Sequence, residues 1–333
     1  MHPPAQRFYG CDRLGGAIPE TVSLTIQPEL SLTVNALGLP LAVHTHSVVV
    51  ANAVRTGWSA GTAESDQPGW TLEIVVVPGD PATERPAFEF LPSRLELRAG
   101  DTNFGWADLE SRRAHLTVSA GTAAAIETFR WFYLDALVCT MLAQCEVTPL
   151  HAACVSREGH GVLLCGPSGV GKSTLSLASA AAGWDLVAED ATYAVNRGPA
   201  GLVRGRPGAV RLRPDALRFF PAIAGDRAGV HPNGKATVQV EVERLGIRTA
   251  DATHIRAVVM LRRTTGEAGI RQADPHEAAA GLLDAIPNFG SEARAVHERT
   301  IGKLVEGGAW ELRYDAPADG VDLLTRLLEQ SDA

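Results

Sequence analysis

The sequence has few cysteines, no excess of positive charge and no long hydrophobic run. Its five cysteines show neither the even number of a disulfide framework nor the spacing of a metal site, so we expect buried free thiols in a reducing cytoplasm. The 38 acidic residues outnumber the 30 basic ones, which argues against a nucleic-acid partner because a broad binding surface needs a basic face. No stretch reaches the roughly 20 apolar residues of a membrane helix, and the first residues lack the pattern of a signal peptide. These absences predict a cytoplasmic protein without a nucleic-acid or membrane partner.

Residues 20–118 carry the pattern of β-strands. β-branched residues and period-2 alternation recur in short stretches between clusters of Pro, Gly and Asp. The predicted strands read VSLTIQ, LSLTVNAL, VHTHSVVVANAV, WTLEIVVVPG, FEFLP, RLELRAG and AHLTVSA. The pattern predicts an antiparallel, β-rich N-terminal domain over residues 1–120.

The hydrophobic period changes to that of a helix between Thr122 and Glu146. No Gly or Pro interrupts this stretch, and Thr122 is of the residue type expected at an N-cap. We therefore predict a connecting helix over residues 121–147.

The remaining residues, 148–333, alternate between strand and helix patterns, which is typical of an α/β domain. LHAACVS and GVLLCG are predicted to pair as a hairpin around REGH. KSTLSLASAAAG is predicted to form the next helix, and WDLVAED the strand that follows it.

The stretch GPSGVGKS follows the second hairpin strand and matches the pattern Gly, four residues, Gly, Lys, Ser. Glycines allow successive backbone N–H groups to turn toward phosphate oxygens, and the N-terminus of the following helix carries positive partial charge. Lys172 is expected to reach the β- and γ-phosphates, and the hydroxyl of Ser173 to reach Mg²⁺. The sequence therefore predicts a nucleoside triphosphate site formed by Gly166, Pro167, Ser168, Gly169, Val170, Gly171, Lys172, Ser173 and Thr174.

An acidic pair, Glu189–Asp190, ends the apolar strand that follows this helix. Parallel strands place their carboxyl ends along one edge of a sheet, so these carboxylates can face the bound phosphates. One acid can hold Mg²⁺ while the other accepts a proton from an attacking hydroxyl. Neighbouring residues of a regular strand point to opposite faces, so Glu189 and Asp190 can face the same site only if the strand bends at its end.

His151 opens the strand that the hairpin lays beside the one leading into the glycine-rich stretch. Its place near the γ-phosphate is compatible with this pairing, although a lone histidine opening a strand is commonly structural. Arg262 or Arg263 ends a later apolar strand and is expected at the same edge. Further basic residues that could cover phosphates or an acidic substrate, rather than stand as solvated charges, are Arg204, Arg206, Arg211 and Lys235.

PLHAACV, GVLLCGPSGVGKSTL, AAAGWDLVAED and GRPGAVRLRPDAL together resemble the C-terminal kinase domain of HPr kinase/phosphorylase, and more closely the stand-alone HPr-kinase-like proteins of bacteria. The resemblance covers residues 148–220 well and the rest of the C-terminal half loosely. It implies a P-loop fold of the HPr kinase/phosphoenolpyruvate carboxykinase type, phosphate transfer to a serine or threonine hydroxyl, and a homo-oligomer. It places functional positions of the family on His151, Lys172, Ser173, Glu189 and Asp190, with Ser173 and Asp190 at the metal.

The sequence departs from that family at two places. Glu189 stands where the family commonly has Asp, which moves the carboxylate by about one methylene. The Arg-Gly-Leu-Gly signature of the phosphorylase reaction is not reproduced, since Arg204–Gly205 lies closer to the acids. We therefore expect no reverse, phosphate-dependent activity.

These observations predict a phosphotransferase, an ATP- and Mg²⁺-dependent kinase whose acceptor is a serine or threonine of a peptide or small protein. Two alternatives stay open: a kinase acting on the hydroxyl of a sugar, amino acid or nucleoside, and an ATP-binding sensor or accessory module without phosphate transfer. The longer Glu189 side chain gives some weight to the accessory module, because proton abstraction tolerates little displacement.

Overall fold

The computed structural model describes residues 30–58, 69–223, 225–226, 228–230 and 236–331. These residues form a mixed α/β structure with sheets of seven, nine and three strands. By its contacts the chain divides into an N-terminal unit, the described parts of residues 6–145 with 287–293, and a C-terminal unit, residues 146–286 and 294–333 as far as described. The predicted strand VSLTIQ lies outside the described residues.

The N-terminal unit is built on a mixed seven-stranded sheet. Its strands are β1 (Leu30–Ala36), β2 (Leu39–Thr45), β3 (Trp70–Val77), β4 (Ala87–Leu91), β5 (Arg94–Ala99), β6 (Asn103–Asp108) and β7 (Arg113–Ser119). Their order across the sheet is β1-β2-β3-β7-β6-β5-β4. β3 runs parallel to both β2 and β7, whereas the other neighbours are antiparallel. The prediction of an antiparallel sheet is therefore wrong at its centre.

The parallel pairing has a local cause, the helix α1 (Val48–Gly57) between β2 and β3. The sequence VHTHSVVVANAV predicted one strand there because valine favours strands. Instead Ser47 caps a helix, and its buried residues Val50, Ala51, Ala53 and Val54 follow a helical spacing. A helical crossover returns the chain so that the next strand runs parallel to the previous one.

The predicted continuous helix over residues 121–147 is interrupted in the structure. Ser119, not Thr122, is the first N-cap, and its hydroxyl accepts from the N–H of Thr122. The hydroxyl of Thr122 is instead used to accept from the N–H of Ala82. Ala125 leaves the helical conformation with ψ of 69°. The segments are α2 (Ala120–Ala124), α3 (Ile126–Thr128), a π-helical turn (Phe129–Leu134) and α4 (Asp135–Cys145).

The C-terminal unit contains the nine-stranded sheet and the three-stranded sheet. Its strands are β8 (Val147–Leu150), β9 (Ala152–Arg157), β10 (His160–Cys165), β11 (Asp185–Ala188), β12 (Thr192–Val195), β13 (Leu202–Arg204), β14 (Ala209–Leu212), β15 (Gly229–Val230), β16 (Ala236–Glu241), β17 (Ala252–Arg263), β18 (Gly269–Gln272) and β19 (Ala309–Tyr314). The helices that follow α4 are α5 (Lys172–Ala181), α6 (Val242–Leu245), α7 (Pro275–Asp284), α8 (Ser291–Glu306) and α9 (Pro317–Ser331).

The order of the large sheet is β11-β9-β10-β17-β13-β12-β8, with β19 beside β17 and β18 beside β19. β10, β17 and β19 are parallel, and β9 is antiparallel to both β10 and β11. The predicted hairpin of β9 and β10 is confirmed, with Cys165 opposite Ala152 and a turn at Glu158–Gly159. The small sheet has the order β14-β16-β15.

Helices α5 and α9 pack on one face of the large sheet. Leu175 and Leu177 of α5, with Leu324 and Leu327 of α9, are buried in one cluster with sheet residues such as Leu312. This packing fixes the direction in which α5 leaves the sheet edge. In the part of the chain that the structure describes, no helix combines the length and the hydrophobicity needed to cross a membrane.

Candidate functional site

The glycine-rich turn, residues 166–171, joins the carboxyl end of β10 to the first residue of α5. Gly166, Gly169 and Gly171 have φ of 142°, 87° and 110°. A Cβ at Gly171 would also lie 2.5 Å from the hydroxyl oxygen of Tyr314, so either the turn or the tyrosine would have to shift. The turn therefore presents bare backbone at the start of α5.

Lys172 folds back over this turn. The residue is 5% exposed, and its Nζ donates to the carbonyl oxygens of Gly166 at 2.8 Å and Pro167 at 3.4 Å. Nζ also lies 3.1 Å from Nε2 of His151. Because an ammonium group only donates, Nε2 accepts and the proton of a neutral imidazole is on Nδ1.

His151 links the lysine to the acidic pair. Its Nδ1 lies 3.3 Å from Oδ1 of Asp190, which is within ion-pair distance though outside hydrogen-bond geometry. The sheet explains this position. β9 lies between β10 and β11 and runs against both, so the residue before β9 sits where β10 and β11 end.

Glu189 and Asp190 occupy a bend directly after β11. A bend of this kind is needed if both side chains are to face the same site. Glu189 is 7% exposed, and its Oε1 accepts a hydrogen bond from the hydroxyl of Ser173. The side chain of Asp190 is 37% exposed and faces His151. The two carboxylates thus have different neighbours around the same turn.

Burial, and after it the charge of Asp190, raises the pKa of Glu189 to about 7. The hydrogen bond from Ser173 and the charges of Arg211 and Lys172 oppose this rise. Nη1 of Arg211, in β14, lies 3.7 Å from Oε2 of Glu189. Near neutral pH this carboxyl group is therefore poised between its protonated and ionised forms.

Two residues without a sequence signal of their own, Arg213 and Tyr314, lie at the turn, and Arg263 of the pair Arg262–Arg263 lies there too. Nη1 of Arg213 lies 2.9 Å from the position that a Cβ on Gly169 would take. The hydroxyl of Tyr314 lies 3.3 Å from the carbonyl oxygen of Gly171, and Arg263 packs over the Tyr314 ring at 5.0 Å. Alternation after Arg211 could have indicated Arg213, because extended residues two apart share a side.

The other candidate cations lie in different surroundings. Arg204 ends β13, and Arg206 follows in a segment that passes beside β11, since a Cβ on Gly205 would lie 1.8 Å from the carbonyl oxygen of Val187. Arg262 lies 3.6 Å from Glu311, so Arg263 rather than Arg262 is the strand-end arginine beside the turn. Lys235 lies outside the described residues.

The donor atoms at the turn fit Mg²⁺. Within the described ranges, no three His, Cys, Asp or Glu side chains gather as a metal site made by protein alone. Mg²⁺ does not need such a set, because it binds one or two protein oxygens together with waters and substrate phosphates. The Ser173 hydroxyl and the Glu189 carboxylate, already in hydrogen-bond contact, are oxygens of this kind.

No family model matches the chain, and a search of curated proteins finds no match either. Among solved structures the chain is similar to the HPr(Ser) kinase/phosphatase from Coxiella burnetii, at 12% sequence identity and a TM-score of 0.31. The match covers 56% of this chain and 99% of that chain. A TM-score of this size establishes no common fold.

Proposed function

We propose that the C-terminal unit is an ATP- and Mg²⁺-dependent kinase of the HPr kinase/phosphoenolpyruvate carboxykinase type. Its acceptor is the hydroxyl of a serine or threonine in a peptide or small protein. The observation that supports this most is one contact network around the glycine-rich turn. That network joins Lys172 to His151 on one side and Ser173 to Glu189 on the other.

The turn supplies the binding site for the donor phosphates. Gly171 is the N-cap of α5 and carries no side-chain oxygen that could occupy the helix N-terminus. Backbone N–H groups and the helix dipole there favour an anion. Lys172 exchanges its contacts with the carbonyls of Gly166 and Pro167 for phosphate oxygens, which are stronger acceptors because they are charged.

Ser173 and Glu189 are the residues we assign to Mg²⁺. This differs from the sequence expectation, which gave Asp190 to the metal. The hydroxyl of Ser173 donates a hydrogen bond to Glu189, whereas Asp190 faces His151. Ser173 and Glu189 would hold Mg²⁺ through their oxygens, and the bound metal would supply neutralisation of charge on the phosphates.

Asp190 is the group we assign to proton abstraction. Its carboxylate is more exposed than that of Glu189, and its Oδ1 lies 3.3 Å from Nδ1 of His151. The acceptor hydroxyl loses its proton to Asp190, and its oxygen forms a bond to the γ-phosphorus. The bond from that phosphorus to the bridging oxygen breaks, and ADP leaves with the electron pair. Lys172 stabilises the charge that develops on the transferred group.

The test uses the full chain with Lys172→Ala and Asp190→Asn, against the exposed control changes Lys303→Ala and Asp322→Asn. Transfer of labelled γ-phosphate is measured on serine- and threonine-containing peptides, and nucleotide affinity is measured separately. Both site variants should lose transfer by about a thousandfold or more, while Asp190→Asn keeps ATP affinity and Lys172→Ala does not. Thermal unfolding checks that each variant is folded.

The outcomes separate the alternatives. Near wild-type turnover by either site variant would show that the role assigned to that residue is wrong. Label recovered in metabolites instead of peptides would indicate the small-molecule kinase. Tight ATP binding without transfer to any acceptor would indicate the accessory module.

A further inference from the structure

Three arginines of the C-terminal unit surround a single carboxylate, that of Glu311 in β19. The Glu311 carboxylate lies 2.9 Å from Nη2 of Arg271, 2.9 Å from Nε of Arg313 and 3.6 Å from Nε of Arg262. These residues come from three neighbouring strands, β18, β19 and β17. We call the four residues the arginine patch.

The patch carries a surplus of positive charge. Burial alone would raise the pKa of Glu311, but hydrogen bonds from Arg271 and Arg313 outweigh it and hold the pKa below its ordinary value. Glu311 is therefore ionised at neutral pH, and three cations against one anion leave a surplus of two. The chain as a whole carries a net charge of −8, so the patch has the opposite sign to its protein.

Most of the hydrogen-bonding capacity of the patch faces solvent. The side chains of Arg262 and Arg271 are each 67% exposed and that of Arg313 is 54% exposed, whereas that of Glu311 is 13% exposed. Three guanidinium groups carry about fifteen N–H donors, and one carboxylate accepts about four hydrogen bonds. Like charges that crowd one carboxylate repel each other, and an anionic ligand would relieve that repulsion.

The patch lies close to the glycine-rich turn. Cys165, the last residue of β10, pairs with Met260 of β17, which pairs with Glu311 of β19. Two strand spacings separate the Cα atoms of Cys165 and Glu311, which is roughly 10 Å. Glu311 and Arg313 alternate along β19 with Leu312 and Tyr314, which pack in the cluster of α5, so the patch lies on the opposite face of the sheet. A peptide that joins the two places must pass over the sheet edge, a path that takes about three to five extended residues.

We propose that the arginine patch binds an acidic segment of the phosphate acceptor, with Asp or Glu three to five residues from the serine or threonine. The proposal rests on the kinase function for the placement of the acceptor hydroxyl at the turn. Guanidinium groups suit this role because their planar forks bind carboxylates through paired hydrogen bonds. The patch thus names the acceptor class as an acidic peptide.

The test measures the binding of two fluorescein-labelled peptides. The first has glutamate at the positions three, four and five residues from a serine, and the second has glutamine at the same three positions. The variant is Arg271→Gln with Arg313→Gln, and the charge-matched control is Arg248→Gln with Arg299→Gln. Like the patch arginines, Arg248 is exposed and paired with a carboxylate, that of Asp185 at the start of β11. At low ionic strength, the wild type and the control should bind the glutamate peptide about tenfold more tightly than the glutamine peptide, as expected for two exposed charge contacts.

The double patch variant should lose this preference and keep its affinity for ATP. Removal of two arginines leaves the Glu311 carboxylate with fewer partners, which could destabilise the double variant. A triple variant that also carries Glu311→Gln removes this carboxylate and therefore tests peptide binding without that defect. It should show the same loss. Thermal unfolding of all variants is measured in parallel.

Equal binding of the two peptides by the wild type would overturn the proposal, as would an equal loss in the control. A tenfold fall in ATP affinity on changing the patch would assign it to the nucleotide, and tighter binding of a single-stranded oligonucleotide would assign it to phosphates; either contradicts an acidic-peptide surface. If the glutamate preference is present but the wild type binds no ATP, the kinase function fails while binding of an acidic segment stands.

Discussion

The two units of the protein each contain a strand that leads through a short connection into a helix, and the two connections differ in how they treat the helix N-terminus. Between β2 and α1 there are only His46 and Ser47, and the Ser47 hydroxyl accepts from the N–H of Val50 at 3.4 Å. Between β10 and α5 there are six residues, ending in Gly171 with φ of 110° and no side-chain cap.

The difference is that one helix N-terminus is capped by a side chain of the chain itself and the other is not. A side-chain oxygen at the N-cap satisfies a backbone donor from within the chain, so the first helix is completed by its own sequence. A glycine N-cap supplies no such oxygen, and the positive end of the helix dipole then favours an anion from outside. The cap residue, rather than the order of elements, distinguishes the two connections.

The largest effect that we expect concerns Glu189, the buried carboxyl group that contacts Ser173 in the first turn of α5. The pKa of Glu189 is raised from its usual 4.5 to about 7 in the folded protein. The folded state therefore binds this proton more tightly than the unfolded state, and the free energy of unfolding should fall as pH rises from about 4.5 to above 7. The loss should be on the order of 2 to 3 kcal/mol.

Urea unfolding in EDTA at about pH 5 and pH 8 measures this dependence. Glu189→Gln should remove it, and the exposed control Glu329→Gln should retain it. The same pH dependence in wild type and Glu189→Gln would contradict the burial of an ionisable group beside α5.

The next effect is that of Gly171→Ala. The new Cβ would meet the Tyr314 hydroxyl at 2.5 Å at a backbone φ that disfavours alanine, so the turn must shift. A displacement of about 1 Å lowers phosphate transfer by about a hundredfold. Gly183→Ala is the matched control, because it has φ of 91° and nothing within 4 Å; it should reduce stability with little effect on transfer.

Combining Gly171→Ala with Tyr314→Phe separates contact from backbone strain. Removal of the hydroxyl makes room for the Cβ, so the double variant should recover part of the activity that the single variant loses. Steady-state transfer kinetics measure the recovery. Strictly additive losses would show that the contact with Tyr314 does not limit the turn.

A smaller effect should follow Ser47→Ala at the first connection. Loss of the N-cap oxygen should lower the free energy of unfolding by about 1 kcal/mol, and Ser47→Asp should restore it. ATP affinity should not change, since this connection carries no proposed ligand. A change in ATP affinity would show that the connection between β2 and α1 also affects nucleotide binding, contrary to the difference drawn between the two connections.

The smallest effect should be that of Tyr314→Phe alone. The hydroxyl contacts the carbonyl oxygens of Gly171 and Val170 at 3.3 and 3.5 Å, so its hydrogen bonding is weak. We expect a loss of about 0.5 kcal/mol in stability and a twofold to threefold decrease in transfer. An unchanged rate would show that the position of the turn does not depend on this hydroxyl.

In each unit some elements could be predicted from local signals and others could not. The hairpin of β9 and β10 could be predicted because its alternation and its turn are both local signals. The helix α1 could not, because its three consecutive valines favour a strand and the decisive cap and burial depend on tertiary packing. The strand β6 could not be predicted either, because Gly105 interrupts its alternating pattern.

Some residues of the site could be predicted from local motifs, and others could not. Motif spacing indicated the glycine-rich turn and the acidic pair, and the structure brings Ser173 to Glu189; the roles of these residues stay predictions. Tyr314 approaches the turn from a distant part of the chain, so no local spacing could single it out, whereas alternation after Arg211 could have indicated Arg213. Which carboxylate faces Ser173 depends on the bend after β11, which a strand pattern does not specify.

The resting contacts of Lys172 bear on which anions the turn would retain. The ammonium already has a histidine nitrogen and two backbone oxygens as partners, so an incoming ion must displace them. A small ion such as sulfate offers too few oxygens at once to compete, whereas a chain of linked phosphates can engage the lysine and several amides together. We therefore expect the turn to select a polyphosphate tail over single small anions, because only linked phosphates can replace the three contacts of Lys172 together.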